Sequence, residues 1–278
     1  MPETQSTVEE KHTRHILSLS GGKDSTALAL YMRDRIPTME YVFCDTGEEL
    51  QETYDYLERI EAHLGKPIAR LNPDRPFRHY LDLYRGVLPD PRTRWCTRML
   101  KLKPFEKHVG NDLVCLYVGI RADEPHRTGY VSTKPNITAV FPFVEDGLRH
   151  KDILRILKES GIGLPEYYKW RSRSGCYFCF FQQRREWVGL FENHKDLFDK
   201  AAEFEKIDPE TGESFTWVQG KSLLDISDPD SVAEIKKQYQ RRMSRLRPDA
   251  ADPEAPLLDV FTSEEDEENQ GGCLICHL

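Results

Sequence analysis

Seven consecutive residues, Ser20-Gly21-Gly22-Lys23-Asp24-Ser25-Thr26, bring together two glycines, three hydroxyls, an amine and a carboxylate. Glycines let backbone amides close around phosphate oxygens, and a helix starting at the same place adds the positive end of its dipole. Lys23 supplies a mobile positive charge, and Asp24 suits either Mg²⁺ or the orientation of the loop. The spacing is not Gly-x-x-x-x-Gly-Lys, so this is not a Walker A loop. The blander alternative is a Ser/Gly turn that only caps a helix. Against it stands the context: the apolar run His15 to Ser20, which includes Ser18, precedes the segment, and Ala27-Leu28-Ala29-Leu30 follows with helical character.

Two further polar segments also follow apolar runs. Asp45-Thr46-Gly47-Glu48-Glu49, continued by Glu52-Thr53-Tyr54, comes after Met39 to Cys44. An acid at a strand end can accept a ribose hydroxyl or bind Mg²⁺, or the segment is a turn with a helix cap. Gly119-Ile120-Arg121-Ala122-Asp123-Glu124, with Arg127, comes after Leu113 to Gly119. Its guanidinium groups suit phosphate or a developing phosphoryl charge, and its acids suit a surface salt-bridge cluster equally well.

The elements that must hold these segments alternate. Strands are expected at His15 to Ser20, Met39 to Cys44, Pro67 to Leu71 and Leu113 to Gly119. Helices are expected after the glycine loop, at Gln51 to Leu64, and around Met99 to His108, where Pro104 either starts or kinks one. Alternating β and α elements imply a parallel sheet covered by helices on both faces, with ligands beyond the carboxyl ends of the strands at a switch point. Beyond about residue 140 the pattern turns helical, at Lys151 to Ser160, Arg184 to Lys206 and Val232 to Arg245. The expected organisation is an α/β nucleotide domain over 1–145, a helical part over 146–247 and an acidic tail over 248–278.

Hydrophobic residues at 38 % and charged residues at 31 % place the 278-residue chain in the globular class. The N-terminal stretch has no apolar signal region and no window suits a membrane span, so a cytoplasmic protein with no membrane partner is expected. The net charge of −8 is uneven: Pro248 to Gln270 carries nine acids and no base, and removing them leaves the rest at about +1. Two basic segments remain, Arg92, Arg94, Arg98, Lys101, Lys103 and Lys107, and then Lys169, Arg171, Arg173, Arg184 and Arg185. They are read either as solvated faces or as phosphate-binding patches.

Seven cysteines in a long chain of this kind suit metal or redox chemistry better than a disulfide framework. Cys96, in Trp95-Cys96-Thr97-Arg98, stands 80 residues before Cys176, in Ser174-Gly175-Cys176-Tyr177-Phe178-Cys179. Arg98, Arg171 and Arg173 flank these thiols and would favour thiolates, whereas the Phe-rich turn would make them a buried apolar pair. Cys44 and Cys115, inside expected strands, read as core residues. Cys273 and Cys276, at the end of the acidic tail, are open among a swinging thiol, a fourth ligand and an incidental redox pair.

Taken together, the glycine loop resembles the PP-loop of the ATP pyrophosphatases. The Asp45 and Gly119 segments are similar to those of the phosphoadenylyl-sulfate reductase superfamily, the second with one residue fewer before its last Arg. The resemblance covers roughly residues 14 to 190. It implies an adenine nucleotide α-hydrolase-like (Rossmann-like) sheet and ATP with Mg²⁺ at Ser18, Ser20, Gly21, Gly22, Lys23, Asp24, Ser25, Thr26, Asp45, Thr46, Gly119, Arg121, Asp123, Glu124 and Arg127. Lys23, Asp24 and Arg121 would take the catalytic roles. Iron–sulfur reductases of the superfamily have a paired cysteine at the first position, where this chain has only Cys96, and a tail motif that the end of this chain does not match. Cys96, Cys176 and Cys179 would hold either a [4Fe–4S] cluster with an open iron, as in some PP-loop thiolation enzymes, or Zn²⁺ with a fourth ligand. Reductases need not bind a triphosphate, so an intact lysine-bearing loop favours ATP cleavage. The chain most resembles the sulfur-activating proteins of DNA phosphorothioation, which implies a cysteine desulfurase or other sulfur donor and a nucleic acid, DNA foremost, as partners. The alternatives are sulfite-releasing reduction, tRNA thiolation, and a nucleotide-binding recruiter of a desulfurase without turnover.

Overall fold

The computed structural model describes residues 13–125, 127, 134–207 and 214–246. The acidic tail with Cys273 and Cys276 lies outside these residues.

Arg14–Leu19 (β1) leads through the glycine loop into Lys23–Met32 (α1), followed by Glu40–Phe43 (β2), Gln51–Leu64 (α2) and Ile68–Arg70 (β3). Phe77–Leu83 (α3) and Trp95–Thr97 (α4) precede a π-helical turn, Arg98–Leu102, that runs on into Lys103–Val109 (α5). Val114–Tyr117 (β4), Ile137–Val140 (β5), Pro142–Glu145 (α6) and His150–Ser160 (α7) come next. A 3₁₀ turn, Glu166–Lys169, then opens the helical part: Arg184–Asn193 (α8), Lys195–Ala202 (α9), the short pair Lys206–Ile207 (β6) and Ser214–Phe215 (β7), Leu223–Ser227 (α10) and Pro229–Leu246 (α11).

Strands β1 to β5 form a parallel sheet in the order β3-β2-β1-β4-β5. Side-chain alternation gives the sheet two apolar faces. Leu17, Leu19, Tyr41 and Phe43 pack with α1, α2 and α7 on one face. Ile16, Val42, Val114 and Leu116 pack on the other with Phe105 and Val109 of α5. The parallel, helix-covered sheet expected from the sequence is therefore present, with a helical part behind it. A third core, centred on Phe77, Trp95, Tyr167, Phe178 and Trp187, joins α3 and α4 to that helical part.

Three elements differ from expectation. The helix around Pro104 is continuous with α4 because a π turn comes first: the Lys103 N–H reaches back five residues to the Arg98 carbonyl. The wider turn accommodates a proline that cannot donate and would otherwise crowd the carbonyl four residues back. The stretch Arg184 to Lys206 is two helices, because His194 leaves helical geometry (φ −141°, ψ 66°) where its ring nitrogen meets Glu52 at 2.8 Å. Strand β5 is too short and weakly patterned to be recognised alone, and is defined by pairing with β4.

Candidate active site

Strand β1 lies between β2 and β4, so successive strands run outward on one side before the chain returns to the other. The loops after β1 and β4 flank this switch point, where open α/β sheets bind ligands.

The β1 loop is fixed by its own hydroxyls. Ser25 Oγ accepts the Ser20 N–H (3.1 Å) and lies 3.0 Å from Ser20 Oγ, while Thr26 Oγ1 donates to the Gly22 carbonyl at 2.8 Å. Gly21 has φ +73°, and a Cβ there would lie 2.6 Å from Thr53 Cγ2. The Glu52-Thr53 segment thus packs directly on the loop. Ser18 sits lower, inside β1, and its buried Oγ has no hydrogen-bond partner.

Helix α1 begins at Lys23, and its first turn meets the β4 loop. A Cβ on Gly119 would lie 3.2 Å from the Asp24 carbonyl oxygen, closer than side-chain carbons usually pack, so this close approach favours glycine. Arg121, 2 % exposed, donates from Nη1 to Asp24 Oδ1 and from Nε to Asp123 Oδ1, both at 3.0 Å, and its Nη2 is 3.7 Å from Glu124 Oε1. Arg127 donates to the same Glu124 oxygen at 2.5 Å. Burial alone would raise the Asp123 carboxyl, but the His150 backbone N–H and the Arg121 charge outweigh it and hold it below its ordinary value. Lys23 Nζ lies 3.6 Å from Asp24 Oδ2. In this arrangement Arg121 positions Asp24, and Asp24 in turn flanks Lys23.

Asp45, after β2, accepts the Tyr54 hydroxyl (2.8 Å) and the Gly47 N–H (2.9 Å). Its neighbour Thr46 connects this loop to the cysteines: Thr46 Oγ1 donates to buried Glu49 at 3.1 Å and lies 3.2 Å from Cys176 Sγ. Cys96, Cys176 and Cys179 line one small cavity, of about 40 Å³, with Thr46 and Lys101. Among the described residues no three His, Cys, Asp or Glu side chains are grouped so as to hold a metal ion. The cavity gathers the three expected ligands, but the described residues do not group them as a metal site. Of the two readings of these thiols, the surroundings of Cys176 accord with the buried one: burial, then the Glu49 carboxyl, push its thiol well above the usual range. Arg171, expected to favour a thiolate, is fully buried and donates instead to the Gly175 and Cys176 carbonyls (2.9 and 2.8 Å). Burial likewise pushes Cys44 up to about 11, in keeping with a core residue.

The helical part supplies site residues that the sequence did not mark. Tyr167 O–H donates to the Gly21 carbonyl at 2.7 Å, and the Tyr168 hydroxyl oxygen accepts the Lys23 N–H at 3.1 Å. Ser174 O–H donates to Ser20 Oγ at 3.1 Å. These residues lie about 150 positions from the loop. A Pro-Glu-Tyr-Tyr stretch has no spacing that signals such a contact.

Several known proteins are similar to this chain. An uncharacterized Methanocaldococcus jannaschii protein is 28 % identical over 212 residues, covering 68 % of this chain but only 42 % of its own length. A Staphylococcus haemolyticus adenosine 5'-phosphosulfate reductase is 31 % identical over 110 residues, 39 % of this chain and 45 % of that protein. A Shouchella clausii tRNA-specific 2-thiouridylase is 26 % identical over 115 residues, 36 % of this chain and 31 % of its own. Among solved structures, a phosphoadenylyl-sulfate reductase from Candida auris with phosphate aligns with a TM-score of 0.49 and 14 % identity, covering 60 % of this chain and 83 % of that one. No described helix is long and apolar enough to cross a membrane. Residues 14–180, which carry the β1 loop, the β4 loop and all three cavity cysteines, match the phosphoadenosine phosphosulfate reductase domain, and the chain belongs to that family.

Proposed function

We propose that this protein is a cytoplasmic PP-loop ATP pyrophosphatase that activates a substrate oxygen for sulfur incorporation, the acceptor being a nucleic acid, with DNA phosphorothioate modification as the favoured setting. In the reaction a substrate oxygen bonds to the α-phosphorus of ATP, the bond from that phosphorus to the bridging oxygen breaks, and pyrophosphate departs. A sulfur nucleophile from a cysteine desulfurase or other donor then bonds to the substrate atom that bears this oxygen, the bond from that atom to oxygen breaks, and AMP departs carrying the oxygen; when the donor is a persulfide, a second thiol takes the donor cysteine as a disulfide and frees the transferred sulfur.

The observation that carries this reading is the junction of the β1 and β4 loops around Lys23 and Asp24. A loop with its lysine suits a triphosphate, whose charge a buried cation beside a helix N-terminus would stabilise. ATP enters with Mg²⁺, and Asp24, if released from Arg121, is a carboxylate of the kind that holds it. The cysteine cavity shares Thr46 with the β2 loop, which supports sulfur chemistry close to the nucleotide.

The test is chromatography of labelled ATP after incubation with and without DNA or tRNA. AMP and pyrophosphate are expected, and Lys23→Ala should abolish them. ADP with orthophosphate would sink the reading, and binding without any product would favour a recruiter of the desulfurase. Sulfite-releasing reduction is supported by the family match and by the reductase relative. Thiol-dependent sulfite from an adenylyl sulfate would establish it instead.

A further inference from the structure

Ser174 ties the turn that carries Cys176 and Cys179 to the glycine loop, and the direction of its hydrogen bond follows from proton count. A hydroxyl has one proton to give. Ser25 gives its own to the Gly22 carbonyl at 3.2 Å, so Ser20 gives its own to Ser25 Oγ at 3.0 Å. Ser20 Oγ is then an acceptor, and it takes the Gly22 N–H (3.4 Å) and the Ser174 O–H (3.1 Å). Ser174 also fills the face that glycine leaves open, since a Cβ on Gly22 would lie 2.7 Å from Ser174 Oγ. A hydroxyl of the helical part thus rests on the loop backbone at Gly22, as Tyr168 does at the Lys23 N–H.

The same turn grips the neighbouring loop. Three residues beyond Ser174 the Tyr177 N–H donates to the Glu48 carbonyl at 2.9 Å, and Cys176 Sγ lies 3.2 Å from Thr46 Oγ1. Residues 174–177 therefore bridge the loops after β1 and β2, the two that flank Lys23 and Asp45. Arg171 stiffens the bridge: it is fully buried and donates to the carbonyls of both Gly175 and Cys176. With those two carbonyls held by one guanidinium, a displacement of Ser174 is carried to Cys176.

We infer that the cysteine turn is a latch on the nucleotide site: phosphate entering the glycine loop displaces the Ser174 hydroxyl and so releases the turn that positions Cys176 and Cys179. Glycine at 22 leaves room for a phosphate oxygen to approach the loop backbone, and Ser174 Oγ stands in that room. Release loosens the hold of the β1 loop on the thiols once nucleotide is bound, the stage at which sulfur is to be delivered. The coupling is a free energy shared by two sites and is therefore reciprocal. Whatever draws the turn away from Ser20 tightens nucleotide binding by the factor by which nucleotide favours that movement. The inference deepens the proposed function and rests on it for the identity of the ligand. The link from Ser20 to the cysteine turn stands on the geometry alone.

The test is hydrogen–deuterium exchange of the full chain, read by mass spectrometry over residues 20–26 and 175–179. Wild type, Ser174→Ala and Ser20→Ala are compared with and without ATP and Mg²⁺. Without nucleotide, both variants should exchange the 175–179 amides at least about threefold faster than wild type, because the turn opens locally once an anchor is lost. Exchange in α11 should not change. A cysteine turn that exchanges at the wild-type rate in both variants would overturn the latch. In wild type, ATP should slow exchange over 20–26 and speed it over 175–179. Slowing of both segments, or an unaltered turn with ATP bound, would contradict displacement. In Ser174→Ala the turn is already released, so ATP should add no change there. Calorimetric titration of that variant should show ATP bound roughly two- to tenfold more tightly, the range of one net hydrogen bond. Equal or weaker binding would count against the latch. If wild type binds no ATP, the nucleotide reading fails, while faster exchange of the turn in Ser20→Ala still upholds the link and an unchanged rate removes it.

Discussion

Arg121 Nη1 donates to Asp24 Oδ1 across 3.0 Å, tying the loop after β4 to the first turn of α1. Both side chains are nearly buried, and the guanidinium also engages Asp123 and Glu124. An ion network of this kind aligns two loops that are 97 residues apart.

Removing its centre leaves three carboxylates without their shared cation. Arg121→Ala should destabilise the fold by about 3–5 kcal/mol, the usual cost of stripping one partner from a buried pair. Urea unfolding followed by fluorescence reads this directly. An unchanged midpoint would mean that Arg121 is spent on ligand and not on structure.

Gly21 combines a left-handed backbone with a close approach to Thr53. Gly21→Ala should lower stability by about 1–2 kcal/mol and weaken ATP binding. Adding Thr53→Ser removes the clashing Cγ2 but not the backbone strain, so rescue should be partial. Full rescue, measured by calorimetric titration with ATP, would show that φ at this position is unimportant.

Tyr168 takes the Lys23 amide, which a phosphate oxygen would otherwise use. Tyr168→Phe should free that donor and tighten ATP binding by roughly two- to tenfold, the range of a net hydrogen bond of about 0.5–1.5 kcal/mol. Weaker binding would instead assign Tyr168 to holding the loop in its competent shape.

The Asp123 carboxyl, held below its ordinary value of 3.8, gives a prediction with a definite sign. Its folded form prefers the ionised state, so its contribution to stability is fully present above the unfolded value. It is lost as pH falls from there through the folded one. Asp123→Asn should therefore be less stable than wild type at neutral pH, with the difference shrinking below about pH 4. A constant difference down to pH 2, in chemical unfolding at stepped pH, would refute the assignment.

Local pattern alone determined much of this protein. The glycine loop lies between a strand and a helix as read, α2 spans Gln51–Leu64 as expected, and the loops bearing Asp45 and Arg121 follow β2 and β4. Each of these depends on periodicity and turn chemistry within a dozen residues, which a linear sequence displays. What only the tertiary structure decided depends on contacts between distant segments. Tyr167 and Tyr168 reach Gly21 and Lys23, His194 meets Glu52 and breaks a helix, and Arg171 turns inward to the Gly175 and Cys176 carbonyls. Charge near Cys176 in the sequence suggested a thiolate, whereas burial beside Glu49 favours the neutral thiol. Sequence proximity reports which charges are available, and only packing determines which are desolvated and which partners they meet.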